Sequence, residues 1–120
     1  MQDYKKLRVW RRGMDLVRES YALTRTLPDD ERFGLSTQMR RCAVSVPSNI
    51  AEGSGRRTDR EFLRFLRIAF GSSFELETQA LMCRENGVGS EKLTLGLLET
   101  NSEVQRMLHG LIAAIESSET

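Results

Sequence analysis

The chain has 120 residues, of which 39% are apolar and 29% charged, with a single histidine and two cysteines. This mixture sustains a packed core, excludes the low-hydrophobicity signature of a disordered chain, and at this length fits one domain over residues 1–120. The net charge of +1 hides a division, because residues 1–60 carry 13 basic and 8 acidic side chains (net +5) and residues 61–120 carry 5 and 9 (net −4).

Helix one is predicted over about residues 7–27, where Trp10, Met14, Val17, Tyr21 and Thr24 recur at four-three spacing on one face. Pro28 stops it. Asp29, Asp30 and Glu31 put negative charge where the next helical segment begins, and Gly34 leaves the first residue of that segment open. Helix two carries the stripe Leu35, Met39, Cys42, Val46, Asn49 and Gly53, widened by Ala43 and Ile50. Pro47 lies inside the stripe and removes one helical hydrogen bond, which predicts a kink; the alternative is a break at Val46 with a new short helix entering through Pro47.

Gly53-Ser54-Gly55-Arg56-Arg57 reads as a turn, and Thr58-Asp59-Arg60-Glu61 as a capping box that opens helix three. Helix three is predicted to reach Asn86, roughly 29 residues and about 43 Å. Its seam is Phe62, Phe65, Ala69, Ser72, Leu76, Gln79 and Cys83, flanked by Leu66, Phe70, Ser73 and Leu81. Gly87-Val88-Gly89 closes it and Ser90 caps helix four, whose pattern is Leu93, Leu97, Thr100, Val104, Met107, Leu111 and Ala114, with Leu98, Leu108, Ile112 and Ile115 beside it. Four amphipathic segments on short turns predict an all-α, antiparallel up-down four-helix bundle with a proline kink in helix two. An elongated helical hairpin completed by another subunit is the competing arrangement.

Catalytic chemistry finds little to work with. His109, the one histidine, sits among Met107, Leu108, Leu111 and Ile112, and one histidine cannot supply the two Glu-x-x-His motifs of a di-iron bundle. Glu75 and Glu77 diverge on a helix, and Gly53-Ser54-Gly55 lacks the strand and lysine spacing of a phosphate loop. Cys42 and Cys83 are 41 positions apart with no CxxC, which predicts reduced core thiols. No catalytic residue, metal or cofactor is expected. No run approaches the roughly 18 to 20 apolar residues of a membrane span, and the first residues lack the apolar stretch of a signal peptide, so no membrane partner and a cytoplasmic location are expected.

The remaining signal is arginine. Arg40 and Arg41 lie on helix two, Arg56 and Arg57 in the turn, and Arg60, Arg64 and Arg67 follow four-three spacing along helix three. Such a stripe can hold successive phosphates of RNA or single-stranded DNA. Equally, it can pair with Glu52, Glu61 and Glu75 within or between subunits, and no interleaved aromatic platform is evident to decide. Adjacent Arg40 and Arg41 point about 100° apart, so one is expected to pair internally while the other faces a partner. Asn49, Glu52, Glu61 and Glu75 are expected to form a structural polar network.

The segments Leu7-x-Val9-Trp10, Tyr21-x-Leu23-Thr24, Gly34-Leu35-x-x-Gln38-x-Arg40-Arg41-x-Ala43-x-Ser45-x-Pro47-x-Asn49-Ile50-Ala51-Glu52-Gly53 and Glu61-Phe62-x-x-Phe65-x-x-x-Ala69-x-Gly71-Ser72-x-x-Glu75-Leu76-Glu77 closely resemble the bacterial four-helix bundle proteins encoded within 23S ribosomal RNA intervening sequences. The resemblance covers nearly the whole chain. It implies a four-helix fold and a ring-like homopentamer, and it places the chain near the accessory bundle proteins of diversity-generating retroelements, whose basic surfaces engage nucleic acid and reverse transcriptase. Arg40, Arg41 and Arg56 match the family pattern, whereas Cys42 stands where alanine is common. The expected partners are therefore other copies of the chain, RNA or single-stranded DNA, or another protein.

Overall fold

A computed structural model describes residues 3–118, which form four long helices with no strand among the described residues: α1 (Arg8–Thr24), α2 (Leu35–Ser54), α3 (Asp59–Asn86) and α4 (Glu91–Ser118). A short 3-10 turn, Tyr4–Lys6, precedes α1, with the Asp3 carboxylate accepting from Lys5 N; a second, Asp29–Glu31, lies between α1 and α2. Helix one ends three residues before its expected limit. Pro28 disfavours the helical conformation at Leu27, and the chain turns instead through Thr26 N to Leu23 O and Leu27 N to Thr24 O.

The buried residues of α1 are Val9, Gly13, Leu16, Ser20, Leu23 and Thr24, so the expected seam holds at Thr24 and elsewhere the buried line lies one residue earlier. Met14 is 43% exposed, while Trp10, Val17 and Tyr21 lie half-buried on the flank facing α2. Close approach explains the offset: a Cβ on Gly13 would stand 3.4 Å from Pro47 Cβ, so the small residue, not the large one, marks the contact. Helix two runs unbroken through Pro47, so the alternative of a new helix at Val46 does not hold. The proline ring is buried against Gly13, where an added Cβ would already stand in van der Waals contact with it.

Helix three opens as expected, with Glu61 N donating to Thr58 Oγ1, and closes on Gly87 in the left-handed conformation (φ 62°) that a Cβ disfavours. Its seam is buried except for Phe65, which is half-buried, and the flanking Leu81 is 46% exposed. Ser90 Oγ accepts from Leu93 N at the start of α4. Along α4 the buried residues are Thr94, Leu97, Thr100, Asn101, Val104, Leu108 and Ile112, so the outer half of the expected seam is wrong: Met107 and Leu111 are half-buried and Ala114 is exposed. A straight helix drifts by about 20° per heptad from a strict seven-residue repeat, which moves the core line from position 107 to 108 and from 111 to 112.

Helix α1 packs on α2 and α4, and α3 packs on α2 and α4, with no close backbone approach between α1 and α3 or between α2 and α4 among the described residues. The molecule measures 47 × 20 × 20 Å. Leu16, Leu23, Met39, Ile50, Leu66, Leu76, Leu97 and Leu108 are fully buried, each worth about 1.5–3 kcal/mol of apolar transfer. Polar bonds join the helices around this core. Asn101 Nδ2 donates to Ser73 O (2.8 Å), the Ser45 and Ser72 hydroxyls meet at 2.8 Å, Arg12 Nε donates to Glu103 (3.0 Å) and Thr100 Oγ1 donates to Glu19 (2.8 Å). At one end of the bundle Ser90 N donates to Thr26 Oγ1, tying the turn after α1 to the turn after α3.

Candidate nucleic-acid interface

The seven arginines singled out above separate into three environments. Arg40 belongs to the groove between α1 and α2, where its Nε donates to Thr24 Oγ1 (2.8 Å) and its guanidinium lies 4.4 Å from the Tyr21 ring centroid. Arg41, one residue on, is exposed on the outer side of α2. The expected divergence of this pair is therefore present, but the partner of Arg40 comes from α1 and not from Asn49 or Glu52.

Arg56, Arg57, Arg60, Arg64 and Arg67 gather at the end of the bundle formed by the α2–α3 turn and the first three turns of α3, all exposed. Arg56 pairs with Glu52 at 2.9 Å and Arg67 with Glu116 of α4, both pairs about half exposed. Such surface pairs contribute little to stability. Among the described residues no carboxylate lies within ion-pair distance of Arg41, Arg57, Arg60 or Arg64.

Phe65 supplies what the linear sequence did not reveal. It is half-buried, and the guanidinium groups of Arg56 and Arg64 lie 4.8 and 5.6 Å from its ring centroid. The ring props two cations against one aromatic surface. Lys5 and Lys6 join the same end, because the 3-10 turn that carries them packs on α1 and α2.

The four polar residues expected to form one network have separate partners. Asn49 Nδ2 donates to Ser45 O (2.8 Å) and Ser45 Oγ, Glu52 pairs with Arg56, and the backbone N–H of Glu61 is capped by Thr58. Glu75 is exposed and stands 3.9 Å from the Cys42 thiol, which also accepts a hydrogen bond from Gln79 Nε2 at 3.4 Å. Burial pushes the Cys42 thiol above its ordinary range, with the Gln79 bond opposing and Glu75 adding to the shift. Cys83 is buried, and its thiol is likewise raised by burial. Neither thiol has the electropositive, thiolate-favouring surroundings of a nucleophile. No group of three or more potential metal ligands occurs among the described residues, and none of their helices is long and apolar enough to cross a membrane.

Residues 5–110 match the family model of the 23S rRNA-intervening sequence protein. The chain belongs to that family. No curated protein matches the chain. Among solved structures, a protein of unknown function from the S23 ribosomal protein family of Bacteroides thetaiotaomicron superposes with a TM-score of 0.80 at 19% identity, over 88% of this chain and 95% of that one. At that identity the likeness speaks for the shared fold alone. Within the family assignment, Lys5, Lys6 and Phe65 are the residues the linear reading missed: the lysines precede the first helical pattern, and Phe65 reads as core because its spacing is that of the seam. The alternation of arginines and an aromatic over residues 56–65 is the signal in the sequence from which the platform could have been found.

Proposed function

We propose that the protein is a small cytoplasmic scaffold, one domain folded as an antiparallel up-down bundle bent at Pro47, that assembles with copies of itself and holds RNA or single-stranded DNA on its arginine-rich end. The bundle topology is supported by opposed contact order, since α1 residues 12 and 19 meet α4 residues 103 and 100, and α2 residues 42 and 45 meet α3 residues 79 and 72. Self-association is supported by the large apolar side chains left outside the core, among them Met14, Val44, Phe74, Leu81 and Leu95. The pentameric ring is the assembly implied by the family resemblance.

One observation carries the nucleic-acid reading: among the described residues Arg57, Arg60 and Arg64 have no acidic partner, and Arg56 and Arg64 flank the half-buried Phe65 ring. Cations without carboxylates meet phosphates, and an aromatic beside them offers a face on which a base can stack. The Arg56–Glu52 and Arg67–Glu116 pairs favour the second reading, a protein-binding or purely structural oligomer. Binding of single-stranded RNA across a salt series separates the two. Replacing Arg57, Arg60 and Arg64 together by Ala should reduce the magnitude of the log-affinity against log-salt slope by about 2, with helicity and oligomer mass unchanged. Equal affinity and slope in the folded variant remove this surface from consideration. A wild-type protein that binds neither RNA nor DNA at low salt leaves the structural-oligomer reading.

A further inference from the structure

Between the end of α1 and the start of α2 lies a hollow of about 240 Å³, lined among others by Thr24, Arg25, Arg32, Ser36, Thr37 and Arg40. The 20 residues of α2, about 30 Å at the helical rise, separate it from Arg56 and Arg57. Three guanidinium groups reach the hollow. Arg25 and Arg32 are exposed at its rim and Arg40 is half-buried, and among the described residues none of them has a carboxylate within ion-pair distance. Arg40 gives its Nε to Thr24 Oγ1, which leaves its two terminal nitrogens for a ligand. Asp29 is the one acid on the wall and pairs with none of the three.

The floor of the hollow is the first turn of α2. Its N-cap residue, Gly34, supplies no side-chain bond, and the Glu31 carboxylate accepts only from Leu35 N, at 3.4 Å. The next two backbone N–H groups, of Ser36 and Thr37, have no acceptor among the described residues, and free N–H groups at a helix N-terminus favour an anion. Ser36 gives a second, independent sign of a ligand. It is only 9% exposed and lines the hollow, yet its hydroxyl has no hydrogen-bond partner among the described residues. A buried hydroxyl left unpaired is costly, and an acceptor in the hollow would satisfy it. The other two hydroxyls are already engaged, since Thr37 donates to Arg32 O (2.6 Å) and Thr24 to Tyr21 O (3.1 Å).

We propose that this hollow binds a phosphate group, either the free ion or the terminal monoester of a larger molecule. The Ser36 and Thr37 N–H groups and the Ser36 hydroxyl hold its oxygens from the floor, while the terminal nitrogens of Arg40, Arg25 and Arg32 neutralise its charge from the side and the rim. With Asp29 on the wall and Glu31 on the first N–H, three positive charges stand against two negative ones, and the balance still favours an anion. Guanidinium forks match phosphate oxygens two at a time. Donors placed on the floor, the side and the rim suit a tetrahedral oxyanion better than a flat carboxylate. The volume sets the size of the ligand: about 240 Å³ falls below the roughly 300–1,000 Å³ that enclose a whole drug-sized molecule, so the hollow takes an anionic tip and leaves the rest outside. This site is separate from the single-strand reading above, in which Arg57, Arg60 and Arg64 meet phosphodiesters along a chain at the other end of the bundle.

An amide NMR titration of the full chain with inorganic phosphate, at constant ionic strength, tests the site. The Ser36 and Thr37 amide signals should shift and saturate with phosphate and stay in place with acetate. Ser36→Ala removes one hydrogen bond to a charged ligand and should weaken phosphate binding about tenfold. Arg25→Gln with Arg32→Gln should weaken it by about tenfold or more, whereas replacing Arg57, Arg60 and Arg64 together by Ala should leave it unchanged. Circular dichroism checks folding; should the arginine pair lose helicity, Ser36→Ala decides alone, because it breaks no bond within the chain. In the background lacking Arg57, Arg60 and Arg64, a short RNA with a terminal phosphate is compared with the same RNA ending in hydroxyl groups. Tighter binding of the phosphorylated RNA at Ser36 and Thr37 assigns the monoester; equal RNA affinities with saturation by inorganic phosphate assign the free ion, and either result supports the site. Shifts that never saturate, shifts spread evenly over the exposed arginines, or an unchanged affinity in Ser36→Ala overturn it, whatever the outcome at the other end of the bundle.

Discussion

Gly53 tests whether the closeness of α2 and α3 is a requirement of the fold. A Cβ built at this position would stand 2.7 Å from Phe65 Cβ and 2.9 Å from Phe62 Cδ1, well inside the about 3.5–4.0 Å at which carbon atoms rest. Phe65 Cβ is one bond from the α3 backbone and cannot swing away, so Gly53→Ala must push the two helices apart just before the α2–α3 turn. Overpacking of this kind costs about 1–3 kcal/mol. Against it stands the helix propensity of alanine over glycine, at most about 1 kcal/mol and less at the penultimate residue of a helix. The net expectation is a destabilisation of about 1–2 kcal/mol, or a fall of roughly 3–10 °C in Tm. Gly71→Ala is the control, because that position on the exposed side of α3 has nothing within 4 Å and should gain about 0.5–1 kcal/mol. Both variants are compared with wild type by denaturant titration at one protein concentration, since assembly couples to stability. A Gly53→Ala protein as stable as Gly71→Ala would refute the reasoning. Because Phe65 also props Arg56 and Arg64, the destabilised variant should in addition bind single-stranded RNA less tightly while still folded.

Two further outcomes follow from the thiols and from α1. Cys42 is partly exposed and Cys83 buried, so alkylation of the native protein followed by mass spectrometry should modify Cys42 alone, more slowly than a free cysteine at neutral pH and faster as pH rises, with Cys83 reacting only in denaturant; equal rates at the two sites would contradict the packing. The hydrogen bond from Arg18, then that from Arg12, holds the Asp15 carboxyl below its ordinary value of 3.8. Its folded value is lower than its unfolded one, so its stabilising contribution is complete above the unfolded value and disappears as pH falls through the folded value. Asp15→Asn should therefore be less stable than wild type near pH 7, with the difference vanishing in strong acid; a constant gap across the titration would assign the effect to packing.

The helix boundaries were legible where local chemistry decides them. Thr58 with Glu61, Gly87 and Ser90 each act through a bond or a dihedral within a few residues, and each terminates a helix where the sequence placed it. Pro47 was ambiguous because its local cost is the same in a kinked helix and at a break. Its tolerance comes from outside the segment: Gly13 on α1 leaves room for the ring, and the buried Met39, Ala43, Val46 and Ile50 hold both halves of α2 against the core. The phase of α1 failed for a related reason. Periodicity weighs residues by apolarity, so it selected Trp10, Met14, Val17 and Tyr21, whereas helix packing selected Gly13 and Ser20, which let the neighbouring backbones come close.

The candidate site was legible only as an inventory of charges, because whether an arginine is free depends on residues remote in the chain. Arg67 reaches Glu116, 49 positions away, and Arg40 reaches Thr24 and Tyr21 on another helix, whereas Arg60 and Arg64 on the same stripe find no carboxylate among the described residues. Only the folded arrangement sorts them. The misplaced seam of α1 bears on the same question. An apolar stripe that is not core still has the composition of a buried surface, and at four-three spacing Met14, Val17 and Tyr21 have the pattern of a helix face meant for contact. Trp10 and Val17 are partly buried against the core and Tyr21 receives the Arg40 guanidinium, so Met14 is the member of the stripe left 43% exposed for the self-association proposed above.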